Sequence, residues 1–242
     1  MRLGLNLRAC LCFGLGLCIG LGLGFALGLE LGLGLEQELL FVMTIYFSSD
    51  IHFDHKKILE YTKRGTLWSS VEEMNEGIIE RFNSVVKPGD SLYLLGDMIF
   101  GSYKTLPERM ASYFGRMNGQ KFLIKGNHDH NYKEEYFKKH FVWIRDYYEL
   151  RVDDVEAPNG KFNKVVLQHF PLLIWNNSHN GYFMLHGHSH GGIDELNKST
   201  TRLDVGIDSE HSNYLPMSYE QIKEIMKTKT FQPLDHHGRN DL

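Results

Sequence analysis

The side chains best suited to hold a metal ion and move protons fall in five short clusters of this 242-residue chain. They are Asp50-Ile51-His52, Gly96-Asp97, Gly126-Asn127-His128-Asp129, Gln168-His169 and His186-Gly187-His188-Ser189-His190. Carboxylate, imidazole and amide are intermediate-to-hard donors, and this mixture suits Mn, Fe, Ni or Zn better than Ca or Mg. The chain's three cysteines, Cys10, Cys12 and Cys18, all lie upstream of the clusters. Without thiolates a closed structural zinc site is disfavoured, and from Met43 onward there is neither a disulfide framework nor a thiol nucleophile.

Each cluster terminates a short apolar run. Ile45–Ser49 leads into Asp50, Ser91–Leu95 into Gly96-Asp97, Phe122–Ile124 into the Gly126 cluster, Val165–Leu167 into Gln168-His169 and Tyr182–Leu185 into His186. An apolar run that stops abruptly at Gly or Asn reads as a buried strand feeding a turn. In open α/β sheets, ligands bind beyond the carboxyl ends of the strands. A lone Gly-Asn-His-Asp would fit a surface β-turn, because Gly, Asn and Asp all favour turns. Five such strand ends in one chain instead predict a shared rim of ligands.

The intervening text predicts the connections. Ser69 and Ser70, each with a Glu three residues on, are candidate caps, and Val71, Met74, Ile78, Phe82 and Val85 follow at helical spacing. Leu106, Met110, Tyr113, Phe114 and Met117 predict a second amphipathic helix, stopped at Asn118-Gly119. Strand-helix-strand-helix-strand with short connections implies parallel βαβ units. Lys56–Tyr61 and residues 131–140 are expected to be helical, Trp143–Val152 to be one strand, and 170–181 to be a loop lining a pocket. Ser218 with Gln221 predicts a capping box on a last helix. The order suggests two mixed sheets packed face to face with helices outside.

The series Asp50-x-His52, Gly96-Asp97, Gly126-Asn127-His128-Asp129, His169, Gly187-His188-x-His190 resembles the calcineurin-like metallophosphoesterase superfamily over roughly residues 45–226. The resemblance implies an α/β fold, a four-layer α/β/β/α sandwich of two mixed β-sheets with flanking helices. It implies two divalent transition-metal ions (Mn, Fe, Ni or Zn, with Mn favoured). One would be held by Asp50, His52, Asp97 and His190, the other by Asp97, Asn127, His169 and His188, with Asp97 bridging. It also implies that His128 faces the phosphate, protonating a leaving group or stabilising charge, and Asp129 is expected to orient it. The reaction so implied is hydrolysis of a phosphodiester or small phosphorylated molecule by a metal-bridging hydroxide. His55, Arg64 and Trp175 are further candidates for substrate contact; His186, Asp208 and His211 are read as structural.

Residues 1–42 differ from the rest. They carry nine of the 24 glycines in near-alternation with leucine, and no charge between Ala9 and Leu29. An over-extended start, a membrane or export segment and a disordered leader are the competing readings. The catalytic domain is therefore placed at 43–228, with a polar tail at 229–242. Setting aside the charged residues of the first 42, the net charge is about −3 with His neutral. That disfavours a basic nucleic-acid-binding face and makes a nuclease the weaker enzymatic alternative. A non-catalytic scaffold on the same fold would require lost ligands, and none is lost. The expected partner is a small phosphorylated substrate in the cytoplasm, with membrane association or export only if residues 1–42 are a genuine anchor.

Overall fold

The computed structural model describes residues 43–129 and 132–234. The Leu/Gly leader, with its three competing readings, and the end of the polar tail lie outside the described residues. The described strands are β1 (Ile45–Ser48), β2 (Ser91–Leu94), β3 (Gln120–Ile124), β4 (Ile144–Arg145), β5 (Tyr148–Asp153), β6 (Phe162–Leu167), β7 (Phe183–His186), β8 (Arg202–Asp204) and β9 (Met217–Ser218). The helices are α1 (Ile58–Tyr61), α2 (Val71–Val85), α3 (Leu106–Phe114), α4 (Glu134–Phe137), α5 (Asp194–Asn197) and α6 (Tyr219–Lys227). Among them no helix is long and apolar enough to cross a membrane.

The strands form two mixed sheets, ordered β4-β3-β2-β1-β9 and β5-β6-β7-β8. In the first, β1 to β4 are parallel and β9 is antiparallel to β1. In the second, β6, β7 and β8 are parallel and β5 is antiparallel to β6. The apolar runs do not alternate with polar residues because both faces of their strands are covered. Phe47, Tyr93 and Ile124 of the first sheet pack with Leu150, Val165, Leu167, Leu185 and Leu203 of the second, forming the core between sheets. Leu92, Leu94 and Leu123 point the other way, against Met74, Ile78 and Phe82 of α2 and Met110 and Phe114 of α3. On the far side of the second sheet, Val166 and Met184 are covered by Trp175 and Leu172. Two mixed sheets with flanking helices match the expected fold class.

Local signals explain most elements. Ser70 caps α2, accepting from the Glu73 amide at 3.1 Å, while the Glu73 carboxylate returns to the Ser69 amide at 2.8 Å. Ser218 and Gln221 close the capping box on α6. Three expectations are corrected. The aromatic and β-branched run from Trp143 to Val152 is two strands in different sheets: Ile144–Arg145 pairs with β3, and Tyr148–Asp153 crosses to pair with β6. Composition marks such a run as strand but carries no sign of where it changes sheets. The helix expected over 131–140 is a single turn, Glu134–Phe137, within the described residues. In the 170–181 loop, Trp175 and Leu172 cover the second sheet instead of lining the cavity over the ligand rim, with the Trp175 indole N–H donated to the Tyr182 carbonyl at 3.0 Å.

Candidate metal centre

The two sheets are stitched together at one edge by the residues that follow their strands. After β1, the Asp50 amide donates to the Gly96 carbonyl at 2.9 Å and the His52 amide to the Asp97 carbonyl at 3.0 Å. Across the sheets, the His188 amide donates to Asp50 Oδ2 at 2.9 Å, and His169 Nδ1 lies 2.7 Å from the Leu95 carbonyl. Two clusters result. Asp50, His52 and His190 form one, and Asp97, His169 and His188 the other, each with donor atoms within 4.8 Å of one another. Asp97 Oδ2 lies between them, 3.8 Å from His52 Nε2 and 3.6 Å from His169 Nε2. Asn127 Oδ1 is 3.0 Å from His169 Nε2. His128 stands at the edge, its Nε2 3.8 Å from Asp97 Oδ2.

These residues fit a bound cation better than they fit each other. Asp50 Oδ1 and His52 Nε2 are buried, have no hydrogen-bond partner, and face one another at 3.9 Å. Buried polar atoms are nearly always partnered, and a cation between them would satisfy both. The backbone is also held unusually. Asp50, His52, Asp97, His188 and His190 all have φ between 47° and 67°, the left-handed region, which costs about 1–2 kcal/mol per non-glycine residue. Strain concentrated in this way is a mark of functional sites. Gly187 makes the junction of the sheets feasible: a Cβ there would lie 2.0 Å from Ser49 Oγ and 2.3 Å from Asp50 Oδ2. Gly126 serves by the same kind of approach, a Cβ falling 2.2 Å from Asp97 Oδ1.

A model of the calcineurin-like phosphoesterase family matches residues 43–240. This chain belongs to that family. An uncharacterized protein of Methanocaldococcus jannaschii is 31% identical over 185 residues, spanning 76% of this chain and 91% of its own. The gene 66 protein of Mycobacterium phage L5 is 28% identical over 184 residues, 68% of this chain and 86% of its own. A crystal structure of a protein of unknown function from Aquifex aeolicus shares the fold, with a TM-score of 0.55 at 20% identity, covering 76% of this chain and all of that one. Membership supports a metal-binding hydrolase, and the two His/Asp clusters are candidate sites for divalent cations.

Not every residue expected at the site is there. Arg64, expected to contact substrate, is fully buried. Its guanidinium donates to the Asp50 carbonyl at 2.5 Å, the Ile51 carbonyl at 2.7 Å and both oxygens of Asp208, at 2.9 and 2.5 Å. Asp208 in turn accepts from His190 Nδ1 at 2.7 Å, which leaves Nε2 facing Asp50 at 3.7 Å. Arg64 and Asp208 are thus an outer clasp on the first cluster, and the sequence reading missed the role of both. Trp175, the other substrate candidate, is buried against the second sheet, away from the clusters. His55 does line the cavity above them. Asp129 does not orient the His128 ring. Its carboxylate accepts from the backbone amides of Asp97 at 2.7 Å, Gly126 at 2.8 Å and Met98 at 3.0 Å, fixing the loops that carry Asp97 and Asn127. His186 is structural as expected, buried between the Gly187 carbonyl and Asn197.

Electrostatics express the same need for a cation. Burial pushes the Asp50 carboxyl up to about 7; His190 opposes the rise, and Asp204 and Asp97 add to it. Burial likewise pushes Asp129 up to about 6 in spite of its three amide donors. His52 is held well below the ordinary histidine value, first by burial and then by the Arg64 charge, which keeps its ring neutral and able to ligate. For His190, burial opposes charging, but the bond to Asp208 and the nearby Asp50 carboxylate win and raise it. For the metal-free protein the Asp50 shift fixes a sign. Below about pH 4 the carboxyl is protonated in both folded and unfolded chains. Between there and pH 7 the unfolded chain ionises first, so stability is lost as pH rises through that window. Metal-stripped Asp50→Asn is therefore expected to be more stable than metal-stripped wild type at pH 7.5, by an amount on the order of a few kcal/mol. The gap should close near pH 4. Chemical denaturation at the two pH values checks this; a metal-free wild type more stable than the variant at pH 7.5 would contradict it.

Proposed function

We propose that this chain is a dinuclear metal-dependent phosphoesterase that hydrolyses phosphodiesters or small phosphorylated molecules. The observation that carries the reading is the position of Asp97: one carboxylate faces both His/Asp clusters, and its Oδ2 lies within 4 Å of His52 and His169. Asp50, His52, His190 and Asp97 would hold one cation. Asp97, Asn127, His169 and His188 would hold the second. When bound, the pair supplies a water-derived nucleophile and a clamp on the phosphoryl oxygens; the donor set makes manganese the first ion to try.

The remaining work falls to the chain's own side chains. His128 lies in the wall of a cavity of about 410 Å³ that also contains His52, Asp97, Asn127, His188 and His190. Its amide donates to Asp97 Oδ1 at 2.9 Å, which sets the ring beside the clusters without making it a member of either. From there Nε2 would give a proton to the departing oxygen or balance charge on the phosphoryl group. The Arg64–Asp208 pair would orient His190, as outer carboxylates orient ligating histidines in metal sites. Asp208→Asn is expected to weaken the cation site formed by Asp50, His52 and His190 by about 10–100-fold and to spare the other. Binding calorimetry reads the two affinities separately, and unchanged affinities would remove Asp208 from this role.

The test of the reaction is direct. Metal-stripped protein is assayed against mono- and diester substrates with Mn, Ni, Zn and Mg in turn. Hydrolysis of at least one ester with a transition metal, lost on chelation and restored on its return, is expected. Folded protein that binds the ions and hydrolyses none of the esters would overturn the proposal.

A further inference from the structure

The cavity over the two clusters has ligands for a floor and walls of a different chemistry. We infer that the site selects phosphodiesters in which the departing ester arm is a planar aromatic or heteroaromatic group, seated against His55, Phe100 and Tyr61. The inference rests on the phosphoesterase reading above.

His55 stacks on Phe100 with ring centroids 4.3 Å apart and planes at 27°. Phe100 meets His128 edge-on at 5.2 Å, and Tyr61 meets His55 edge-on at 6.3 Å. Tyr61 is 67% exposed at the lip, and buried Ile58 adds to the lining. An exposed aromatic adjoining a stacked pair inside a cavity is a ready platform for a flat group. Because the wall adjoins His128, the arm resting on it is the one whose oxygen His128 would protonate.

The wall is built in advance. Asp54 adjoins His55 in sequence and adopts φ 63°. Its Oδ1 accepts from the Tyr113 hydroxyl at 2.6 Å and from Asn75 at 2.8 Å, and its Oδ2 from Arg109 at 2.5 Å. The same Arg109 nitrogen donates to the Phe100 carbonyl at 2.8 Å. One frame therefore fixes both halves of the stacked pair, so little ordering is required when a ligand arrives.

Charge argues for a diester. Among the described residues no lysine or arginine lines the cavity. Arg64, below it, is engaged by Asp208 and two carbonyls, and Arg109 by Asp54 and backbone. A diester brings one negative charge to the cations, whereas a monoester dianion brings a second with no side-chain cation to receive it. Beyond His188, outside the cavity lining, Phe170 lies edge-on to that ring at 4.6 Å and is 42% exposed, an aromatic surface that a second arm reaching past His188 would meet.

The test compares two diesters with the manganese-loaded enzyme: ethyl phenyl phosphate and the ethyl ester of a fluorinated alcohol of matched acidity. They differ in planarity but not in leaving-group strength. Wild type should favour the phenyl arm by about 5- to 100-fold in kcat/KM, chiefly through KM, the range that aromatic stacking spans. Phe100→Ala should bring the ratio toward one, and Phe100→Trp should keep it. Tyr61→Ala, at an exposed position where folding is not at stake, should also lower it. Phenyl phosphate, the monoester with the same arm, should have a lower kcat/KM than ethyl phenyl phosphate. Equal rates for the two diesters, or a preference that survives both alanine variants, would overturn this inference and leave the phosphoesterase reading standing. So would faster turnover of the monoester. Hydrolysis of phenyl phosphate but of neither diester would likewise overturn this inference alone, and hydrolysis of none of the three would count against both.

Discussion

Asp97→Asn is expected to lower turnover by about 10³-fold or more, beyond the 10–100-fold that loss of an outer partner costs. The substitution preserves shape. An asparagine oxygen can still accept from the His128 amide, as Asp97 Oδ1 does at 2.9 Å. What it removes is the negative charge that faces His52, His169 and His128 from one buried oxygen at 3.6–3.8 Å. Two cations held close together need an anion between them, and among the described residues no other carboxylate belongs to the second His/Asp cluster. The loss should exceed that of His190→Ala, which depletes the first cluster alone. Metal content and rate must be measured on the same sample. A variant that keeps two ions and most of its activity would show that Asp97 is not the bridge.

His128→Ala should keep its metals and lose about 10²–10⁴ in rate on esters with poor leaving groups. The ring belongs to neither cluster, and its side chain is 36% exposed at the cavity wall. Nitrophenolate departs without much need of a proton, so nitrophenyl esters should suffer less. An equal loss across leaving groups would exclude the acid role and leave charge stabilisation as the ring's contribution. A variant that loses its metals would move His128 into the ligand set.

The ligand rim was readable because strands covered on both faces give unbroken apolar runs, and the residue that ends each run is conspicuous. Asp50, Asp97, Asn127, His169 and His188 all stand at such ends, and the structure gathers them at one edge of the paired sheets. Asp208 carried the same signal, since Val205-Gly206-Ile207 precedes it, but its partner Arg64 lies 144 positions away and nothing local joins the two. A lone arginine near histidines suggests a phosphate contact until its burial is known. Asp129 misled for the opposite reason. Adjacency to His128 suggested a pair, yet the tight turn after Gly126 directs the carboxylate back onto three amides. Trp175 sits in a loop whose polar neighbours suggest a pocket, whereas the apolar outer face formed by Val166 and Met184 requires the cover that buries it. The sheet change between Arg145 and Tyr148 was invisible because both sheets ask for the same residue types.

Titration of metal-stripped protein with Mn²⁺, with bound ions counted and hydrolysis of a chromogenic diester followed in the same samples, tests the central claim most directly. Two ions should bind per chain, and hydrolysis should appear as the second site fills. Saturation at one ion, or full turnover with one ion bound, would contradict a dinuclear centre bridged by Asp97.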